Sequence, residues 1–476
     1  MKKRILTLLL AGLMLCSTVA CGTPDSDESG NETQTANSDV TEPEETELRP
    51  DLPDRDYDGA EFRILTDKEN YRYIVSEKTG GELVNDAIVE ANMEVAGQYG
   101  IRFQRIDGNA DTYILAGDDE YDAAYLHDCT TATMSLRGWF QNIYDIPHMD
   151  PTAPWWPQFT VESLTLNGKM FFYSNYTGYL AMKQTRVCLF NDSILDDFNM
   201  ESPYDHVRAG TWTLDQAIKM STAIYEDKNG DGQKDEGDLF GFASTHTPWG
   251  WMEAFGIELY QKESVDSADM TVVVDERLYT LIDKLHQWFY SGNDSVWVEF
   301  SGHGDLSMDM FASSRAAFTL VNDLDAQVKM AIASNVQYGI VPFPKIDENQ
   351  KQYYGACTDF LFSIPITLRD TERAGIILEA MAYAGYKYVR PAYCEQTLKT
   401  RFATDPNCAE MLNLILDNQV ISFAYLYSQY VSGGGLQSNF IHSTVEQNNV
   451  ASFLKTRLKI EEKSVKKISR FYETGR

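Results

Sequence analysis

In the first folded part of the chain, apolar residues follow a strand-like pattern in some segments and a helix-like pattern in others. Residues 61–66, 101–106 and 121–126 are short, largely apolar runs bounded by polar residues, a pattern typical of β-strands. Between the first two runs, apolar residues recur at helical spacing after Asn85, which we predict as the helix cap, and Gly100 ends the repeat. Strand, helix and strand with short connections predict a parallel sheet covered by helices.

The rest of the chain repeats this alternation and then becomes mostly helical. Thr213 and Gln216 form a capping box that predicts the start of a helix. From residue 371 onward the apolar spacing is helical, and residues 450–472 predict an amphipathic helix with scattered lysine and arginine. We interpret its polar face as the solvated side of a packed helix, with a membrane or partner contact as the alternative. Further strands are predicted at 170–173, 186–190, 239–243, 316–320, 338–341 and 360–364.

The first 20 residues have the pattern of an export signal. Basic residues precede the apolar run 5–15, which is too short to cross a bilayer unaided. Small residues then lead to Cys21, and this arrangement resembles a bacterial lipoprotein signal, in which the cysteine is lipidated and becomes the new N-terminus. We therefore predict lipidation of Cys21 and a protein anchored on the extracellular face of the membrane. An ordinary secretory signal is the alternative.

Residues 21–58 form an acidic segment with few apolar residues, which predicts a disordered, self-repelling tether. The whole chain has 71 acidic residues against 40 lysines and arginines, for a formal net charge of −31. Such a charge argues against nucleic acid as a partner, because the phosphates would not be neutralised. It favours a neutral or cationic ligand. The cysteines beyond the signal are scattered and show neither a disulfide framework nor zinc-ligand spacing.

Residues 227–238 have the pattern of a twelve-residue calcium-binding loop. Gly232 stands at the sixth position, where a sharp turn is needed, and oxygen-bearing residues stand at alternate positions. This spacing predicts a structural Ca²⁺ ion, with a plain surface turn as the alternative. A strand-like run follows the loop instead of a second helix, so we interpret the ion as a staple and not as a sensor. The predicted ligands are Asp227, Asn229, Asp231, Gln233, Asp235 and Asp238.

The sequence contains no motif of a known catalytic site. It lacks the serine-hydrolase elbow, the zinc-protease helix motif and a phosphate-binding glycine loop after a strand. The histidines do not cluster, and carboxylates are too numerous for a glycosidase pair to be selected. We therefore predict a binding protein and not an enzyme, with no catalytic cofactor.

Tryptophans are grouped in two corners of the sequence, 154–157 and 247–251. Flat aromatic rings suit the faces of sugar rings, while neighbouring polar groups bind the hydroxyls. Core or hinge packing is the alternative for each of these aromatic residues.

Several segments resemble, in their order along most of the chain, the extracellular solute-binding proteins of carbohydrate ABC importers (family 1 type, in a branch from gut Firmicutes). No one of these motifs is specific alone, and their order carries the resemblance. The segments are the lipoprotein signal, GELVNDAI at 81–88, AGDDEYD at 116–122, PWW at 154–156, YGIVPFPK at 338–345, PAY at 391–393 and EML at 410–412.

The resemblance implies an α/β fold of two lobes, the type II periplasmic-binding-protein-like fold, with parallel or mixed sheets, helices on both faces and a ligand cleft between the lobes. It implies lobe 1 at 59–165 and 360–425, and lobe 2 at 166–359 and 426–476. The implied function is capture of a sugar or oligosaccharide and delivery to an ABC permease in the membrane, by a protein that we expect to be a monomer. The alternatives are binding of peptides or another small polar solute, a surface glycan-active enzyme and a surface lectin.

Ligand clefts in such folds lie beyond the carboxyl ends of the strands. Related maltose-binding proteins use aromatic rings and carboxylates at comparable places, whereas Leu126 stands where some of them carry a ring. The candidate substrate-binding residues are Asp67, Tyr71, His127, Asp128, Trp155, Trp156, Tyr176, Trp249, Trp251, Asn322 and Asp323.

Overall fold

The computed structural model describes residues 48–475, apart from 246–249, 300–304, 322–323, 325–329, 332, 359 and 400–405. The predictions made for Cys21, Trp249, Asn322 and Asp323 lie outside the described residues, as do the signal and most of the acidic segment.

The strands are distributed over almost the whole described chain. They are β1 (Ala60–Leu65), β2 (Ile101–Ile106), β3 (Ala123–His127), β4 (Val187–Asn191), β5 (Tyr225–Glu226), β6 (Leu239–Thr245), β7 (Tyr260–Lys262), β8 (Met270–Val272), β9 (Val296–Glu299), β10 (Ala316–Val321), β11 (Tyr338–Val341), β12 (Gly355–Ala356), β13 (Phe360–Ser363) and β14 (Gln419–Val420).

Helices cover these strands and make up most of the last hundred residues. They are Lys68–Tyr71, Leu83–Tyr99, Ala110–Ala116, Asp128–Ser135, Gln158–Leu164, Leu180–Lys183, Asp192–Asp197, Pro203–Ala209, Leu214–Thr222, Trp251–Ala254, Arg277–Tyr290, Asp305–Ala312, Thr371–Ala384, Arg390–Lys399, Pro406–Asp417, Phe423–Leu426, Leu436–Thr444 and Val450–Thr474. Shorter helical turns lie at Ile143–Asp145, Gly385–Val389 and Tyr427–Gln429.

The first sheet has the strand order β13-β3-β1-β2. Strand β1 pairs in parallel with β2 and β3, as the strand–helix–strand pattern predicted, and the helix Leu83–Tyr99 makes the crossover. Strand β13 returns from far along the chain and pairs antiparallel with β3. Phe62, Ile64 and Tyr125 are fully buried at the centre of this sheet.

The second sheet is mixed and has the order β11-β4-β10-β6-β5, with β9 beside β6. Strands β10 and β9 run parallel to β6, whereas β4 runs antiparallel to both β10 and β11. Every residue of β4 and β10 is buried, which agrees with their continuous apolar sequence. Both sheets belong to one compact unit, Arg49–Arg476, and the residue limits of the two lobes stay predictions.

Two local predictions are wrong. Residues 170–173 form no ladder and make only an isolated bridge between Tyr173 and Phe362, because this apolar run packs against aromatic side chains, Phe171 against Tyr472 among them. Asn85 does not cap its helix, which begins at Leu83; its side chain instead accepts a hydrogen bond from the Ser76 hydroxyl at 2.8 Å.

The predicted capping box is confirmed, since the Thr213 hydroxyl accepts the N–H of Gln216 at 3.3 Å. The last predicted helix is observed as Val450–Thr474. It buries Val465 and Ile468 and leaves lysines exposed on the opposite face, as expected for the solvated side of a packed helix. Among the described residues, no helix is both long and apolar enough to span a bilayer.

Candidate functional site

Two segments that link the two sheets lie beside a third, later segment. One runs into β4, the second runs from β12 into β13, and the third contains β14. The N–H of Arg186 donates to the carbonyl of Ala356 at 2.9 Å, and the N–H of Cys357 donates to the carbonyl of Val420 at 3.1 Å. Strands β12 and β14 pair in parallel between them. These hydrogen bonds fix the point at which the chain crosses from one sheet to the other.

A cavity of about 260 Å³ opens beside these crossing segments. This volume is near the lower end of the range for small-molecule sites, about 300–1,000 Å³. Its walls combine an indole ring, a phenol, a guanidinium, a carboxylate and several amides and hydroxyls. The lining residues are Arg186, Gly250, Trp251, Met252, Glu253, Ala356, Cys357, Thr358, Ser422, Tyr425, Gln437, Ser438, Asn439, Ile441 and His442.

Trp251 stands at the first position of a short helix after β6. Gly250 before it has φ 86°, and a Cβ there would lie 3.1 Å from Cδ of Arg186 and 3.2 Å from Cβ of Ala356, so glycine is needed at this turn. The Trp251 ring stacks on Phe255 at a centroid distance of 5.3 Å and is 1 % exposed. Its Nε1–H is buried and has no hydrogen-bond partner among the described residues.

Arg186, also a wall residue of this cavity, carries a second unpartnered donor. Its Nη1 donates to the carbonyl of Gln184 at 2.9 Å and to the hydroxyl of Thr358 at 3.3 Å, which fixes the guanidinium. Its Nε is buried and without a partner within the described part of the chain. Buried donors are normally paired, so Trp251 and Arg186 each keep one donor that no described residue uses.

Glu253 brings a carboxylate to the cavity wall. Its Oε1 accepts from Nε2 of Gln437 at 3.2 Å, and Gln437 is itself held by the carbonyl of Ile257 and the N–H of Leu259. Burial raises the pKa of Glu253, because the charged carboxylate loses solvation.

A second cavity of about 280 Å³ adjoins the first, and the two share Glu253 and Ser422 as wall residues. Burial raises the pKa of Glu258 to about 7 and lowers that of Lys262 to about 8. The lining residues are Phe159, Glu162, Ser163, Leu166, Glu253, Gly256, Ile257, Glu258, Tyr260, Lys262, Met270, Tyr354, Val420, Ser422 and Phe423.

The predicted candidates Trp155 and Trp156 lie in the core and line neither cavity. They are 4 % and 1 % exposed, and both indole N–H groups donate to the buried carboxylate of Glu379, at 2.6 Å from Trp155 and 3.1 Å from Trp156. This placement favours the core-packing alternative for both tryptophans.

His127 and Asp128 follow β3, as predicted, and lie close to the first cavity. Asp128 is buried, and His127 Nδ1 lies 3.0 Å from its Oδ1, a hydrogen bond that raises the pKa of His127. Burial and, next, the Asp128 carboxylate raise the pKa of Tyr425, a wall residue of the first cavity, far above its ordinary value. Neither His127 nor Asp128 is a wall residue of either cavity.

Asp67, Tyr71 and Tyr176 are not wall residues of either cavity. Asp67 caps the helix Lys68–Tyr71 by accepting the N–H of Asn70 at 2.8 Å. Tyr176 is 5 % exposed, and burial raises its pKa to about 12. Of the predicted substrate-binding residues, Trp251 alone lines the first cavity within the described residues.

Sequence reasoning missed Arg186, Glu253 and Gln437, which are polar wall residues of the first cavity. They lie up to 251 positions apart (186 to 437), and no local spacing connects them. The sequence held one weak signal of this site. Gly250 stands beside Trp251, and a glycine at such a place can mark a close approach of the backbone to another part of the protein.

The acidic loop has the predicted neighbours, with the helix Leu214–Thr222 before it and β6 after it. Asp227 accepts the N–H groups of Gly230 and Gly232 at 2.7 and 2.9 Å, and the fully buried Asp238 accepts from the Tyr225 hydroxyl at 3.1 Å. Where the chain is described, no three or more His, Cys, Asp or Glu side chains are grouped so as to hold a metal ion. The calcium site stays a prediction.

The chain was compared with known proteins. Neither the protein-family models nor the curated proteins gave a match. Among solved structures, UspC from M. tuberculosis has a TM-score of 0.54 at 12 % identity, over 85 % of this chain and 100 % of that one. A cyclo/maltodextrin-binding protein complexed with maltotetraose has a TM-score of 0.53 at 13 % identity, over 90 % and 99 %. UgpB from Mycobacterium tuberculosis in complex with glycerophosphocholine has a TM-score of 0.51 at 13 % identity, over 87 % of this chain and 99 % of that one.

At these identities the likeness concerns the fold. It confirms the predicted class, a mixed α/β protein with the two-lobed, periplasmic-binding-protein-like fold.

Proposed function

We propose that this protein is the substrate-binding component of an ABC importer, which captures a sugar or oligosaccharide and delivers it unaltered to a permease. The observation that carries the proposal is the first cavity, which lies at the crossing segments of this fold and is lined by the side chains of Trp251, Arg186 and Glu253. Neighbours of the same fold include a maltodextrin-binding protein.

The chemistry of the cavity fits a polyhydroxylated ligand. Sugar oxygens would accept hydrogen bonds from Nε of Arg186 and Nε1 of Trp251, and sugar hydroxyls would donate to the Glu253 carboxylate. Each new bond satisfies a group that is otherwise desolvated, so the ligand-bound, closed arrangement gains free energy relative to the open one. No bond in the ligand needs to be made or broken.

A peptide or another small polar solute is the second candidate. The specific observation in its favour is that opposite charges, on Arg186 and Glu253, line one cavity. A zwitterionic solute would use both.

Titration calorimetry distinguishes these candidates. The protein is titrated with a panel of neutral mono- and disaccharides and with a panel of short peptides. The bound ligand is then recovered, and its molecular mass is measured by mass spectrometry. We expect a saccharide to bind and to be recovered with its mass unchanged. Binding of peptides alone would support the second candidate, and a saccharide recovered in fragments would contradict both.

We further propose that the protein is tethered to the extracellular membrane face through lipidated Cys21 and works there as a monomer with its permease. The small residues before Cys21 and the acidic segment after it support this proposal. The variant Cys21→Ser is expected to appear in the culture medium, whereas the unchanged protein sediments with membranes. Retention of the variant on membranes would contradict lipid anchoring.

Calcium in the acidic loop is proposed as a structural element remote from ligand binding. Chelation should lower the melting temperature, because an ion that binds only the folded state stabilises it by mass action, by about 2.7 kcal/mol at 100-fold excess over its dissociation constant. The variant Asp231→Asn should lose most of this response. A melting temperature that chelation leaves unchanged would contradict the calcium site.

A further inference from the structure

The last helix, Val450–Thr474, carries an excess of positive charge in an otherwise acidic chain. It contains seven lysines and arginines and three glutamates, which gives it a net charge of +4 (7 − 3). The rest of the chain therefore sums to −35 (−31 − 4). Because this helix has the opposite sign to the whole chain, the direction in which its basic side chains point decides what they can bind.

Six of these basic residues form one exposed stripe along the helix. They recur three or four positions apart, which places them on one side of a helix, within an arc of about 120° at about 100° per residue. The stripe is about 22 Å long at about 1.5 Å per residue. The residues of this basic stripe are Lys455, Lys459, Lys463, Lys466, Lys467 and Arg470, and all six are exposed.

The protein itself does not neutralise the basic stripe. None of its six side chains forms an ion pair or a hydrogen bond with another described residue. By comparison, Lys284 on the helix Arg277–Tyr290 pairs with Asp215 at 2.6 Å. Two exposed glutamates, Glu462 at the edge of the stripe and Glu473 at its end, reduce its charge but leave it clearly positive.

The opposite side of the helix is occupied by the fold. Val465 and Ile468 are buried there, and the buried carboxylate of Glu461 accepts from the Tyr260 hydroxyl and from the N–H of Leu436, both at 2.5 Å. The apolar side of this helix therefore cannot enter a bilayer while the protein is folded. A contact made through the stripe is electrostatic and involves no insertion.

The composition of the stripe favours a diffuse anionic surface over a protein interface. Protein interfaces depend on a few aromatic or apolar anchors, and no large exposed hydrophobic side chain of the described chain belongs to this helix. Five of the six stripe residues are lysines, whose ammonium groups bind phosphates as point charges. A row of such groups on one side of a helix fits the phosphates of lipid headgroups.

The negative charge of the whole chain does not prevent such a contact. Electrostatic interactions are screened over about 8 Å at physiological ionic strength, so charges on the far side of the molecule act weakly on a surface that touches the stripe. Each basic residue close to an anionic lipid surface strengthens binding by about fivefold.

We propose that the basic stripe docks on the anionic headgroups of a lipid bilayer and so orients the protein on the membrane. The inference adds a second contact to the proposed membrane location and is independent of the ligand that the cavities bind. The contact is lost at high salt, whereas a lipid anchor is not.

Cosedimentation with vesicles tests the proposal. The full chain with Cys21→Ser is used, so that no lipid on the protein contributes to binding. It is mixed at low and at high salt with vesicles of phosphatidylcholine alone, or of equal amounts of phosphatidylcholine and phosphatidylglycerol. In the same background, the stripe variant carries Lys459→Gln, Lys463→Gln and Lys466→Gln, because glutamine removes the charge and keeps a high helix propensity.

The control variant carries Lys78→Gln, Lys219→Gln and Lys351→Gln. These three lysines are exposed and lie outside the helix, so the net charge changes by the same amount as in the stripe variant. Thermal melts of both variants check that the fold is intact.

We expect binding to the anionic vesicles alone, with loss of binding at high salt. Affinity for these vesicles should fall about tenfold or more in the stripe variant and stay unchanged in the control variant. Absence of binding to anionic vesicles at low salt, equal binding to phosphatidylcholine alone, or equal losses in the two variants would overturn the proposal.

Poly-L-glutamate provides the comparison for an acidic protein partner. Binding to this polymer that depends on the stripe, without binding to anionic vesicles, would overturn the proposal in favour of such a partner. A high-salt wash separates this proposal from lipid anchoring, since it releases protein that is held by the stripe and leaves lipidated protein on the membrane.

Discussion

The two tryptophan corners of the chain have similar sequences and opposite surroundings. In the first, Trp155 and Trp156 are buried and both indole N–H groups bind the carboxylate of Glu379. In the second, Trp251 is equally buried and lines the first cavity, and its N–H has no partner among the described residues. The two corners therefore differ in the hydrogen bonds of their indole N–H groups and in their contact with a cavity, while their burial is the same.

The surroundings of the first corner depend on Glu379, a residue that is distant in the sequence. Glu379 comes from the helix Thr371–Ala384, more than 200 positions after the first corner (379 − 156 = 223). Within the described part of the chain no carboxylate accepts from the Trp251 N–H, and its ring packs against Phe255 and Phe343. We therefore expect substitutions in the first corner to affect stability and substitutions in the second to affect affinity.

The largest effect is expected for Trp156→Ala. Trp156 is 1 % exposed, and loss of a buried tryptophan lowers the free energy of unfolding by about 3–5 kcal/mol. Urea denaturation measures the loss, and titration of the folded variant should show unchanged ligand affinity. A variant of nearly normal stability that has lost ligand binding would contradict the core assignment.

The next effect concerns pH. Burial raises the pKa of Glu379 to about 7, above its ordinary value of 4.5, so the folded state holds this proton more tightly than the unfolded state. Its contribution to stability is complete below pH 4.5 and is lost as the pH rises to about 7, at no more than about 1.4 kcal/mol per pH unit. Glu379→Gln should flatten this part of the stability curve.

The control for this measurement is Glu372→Gln, a half-exposed glutamate of the same helix. In this variant the free energy of unfolding should change between acidic and neutral pH by the same amount as in the unchanged protein. Superimposable curves for Glu379→Gln and the unchanged protein would contradict the role given to Glu379.

The smallest effect is expected for Trp251→Phe, which keeps an aromatic ring and removes the unpartnered N–H. Stability should change by less than about 1 kcal/mol, since no protein hydrogen bond is lost, while ligand affinity should fall about tenfold. The matched variant Trp155→Phe removes an N–H that Glu379 uses, and should lower stability without changing affinity. Calorimetry and denaturation of both variants check the pair, and equal affinities for the two would remove Trp251 from the site.

Much of the fold was predictable because it depends on local patterns. The runs that became β1, β2 and β3, the helix ending at Gly100 and the cap at Thr213 each carry their signal within a few residues. The run 170–173 failed for the opposite reason, since its apolar side chains pack on aromatics from the end of the chain, Phe471 and Tyr472, and its backbone forms no ladder.

The site was predictable only in part. Trp251, predicted from its aromatic character, lines the first cavity, whereas Asp128, predicted from its place after a strand, lines neither cavity. Arg186, Glu253 and Gln437 were not found, because crossing segments and late helices bring them together from distant parts of the chain. The different surroundings of the two tryptophan corners were not predictable for the same reason, because only the fold places Glu379 beside Trp155 and Trp156.

A crystal structure with the tightest-binding saccharide tests the central claim most directly. The account predicts an intact ligand in the first cavity, with oxygen atoms within hydrogen-bond distance of Nε1 of Trp251 and Nε of Arg186. A ligand bound elsewhere, or one found with a glycosidic bond broken, would contradict it.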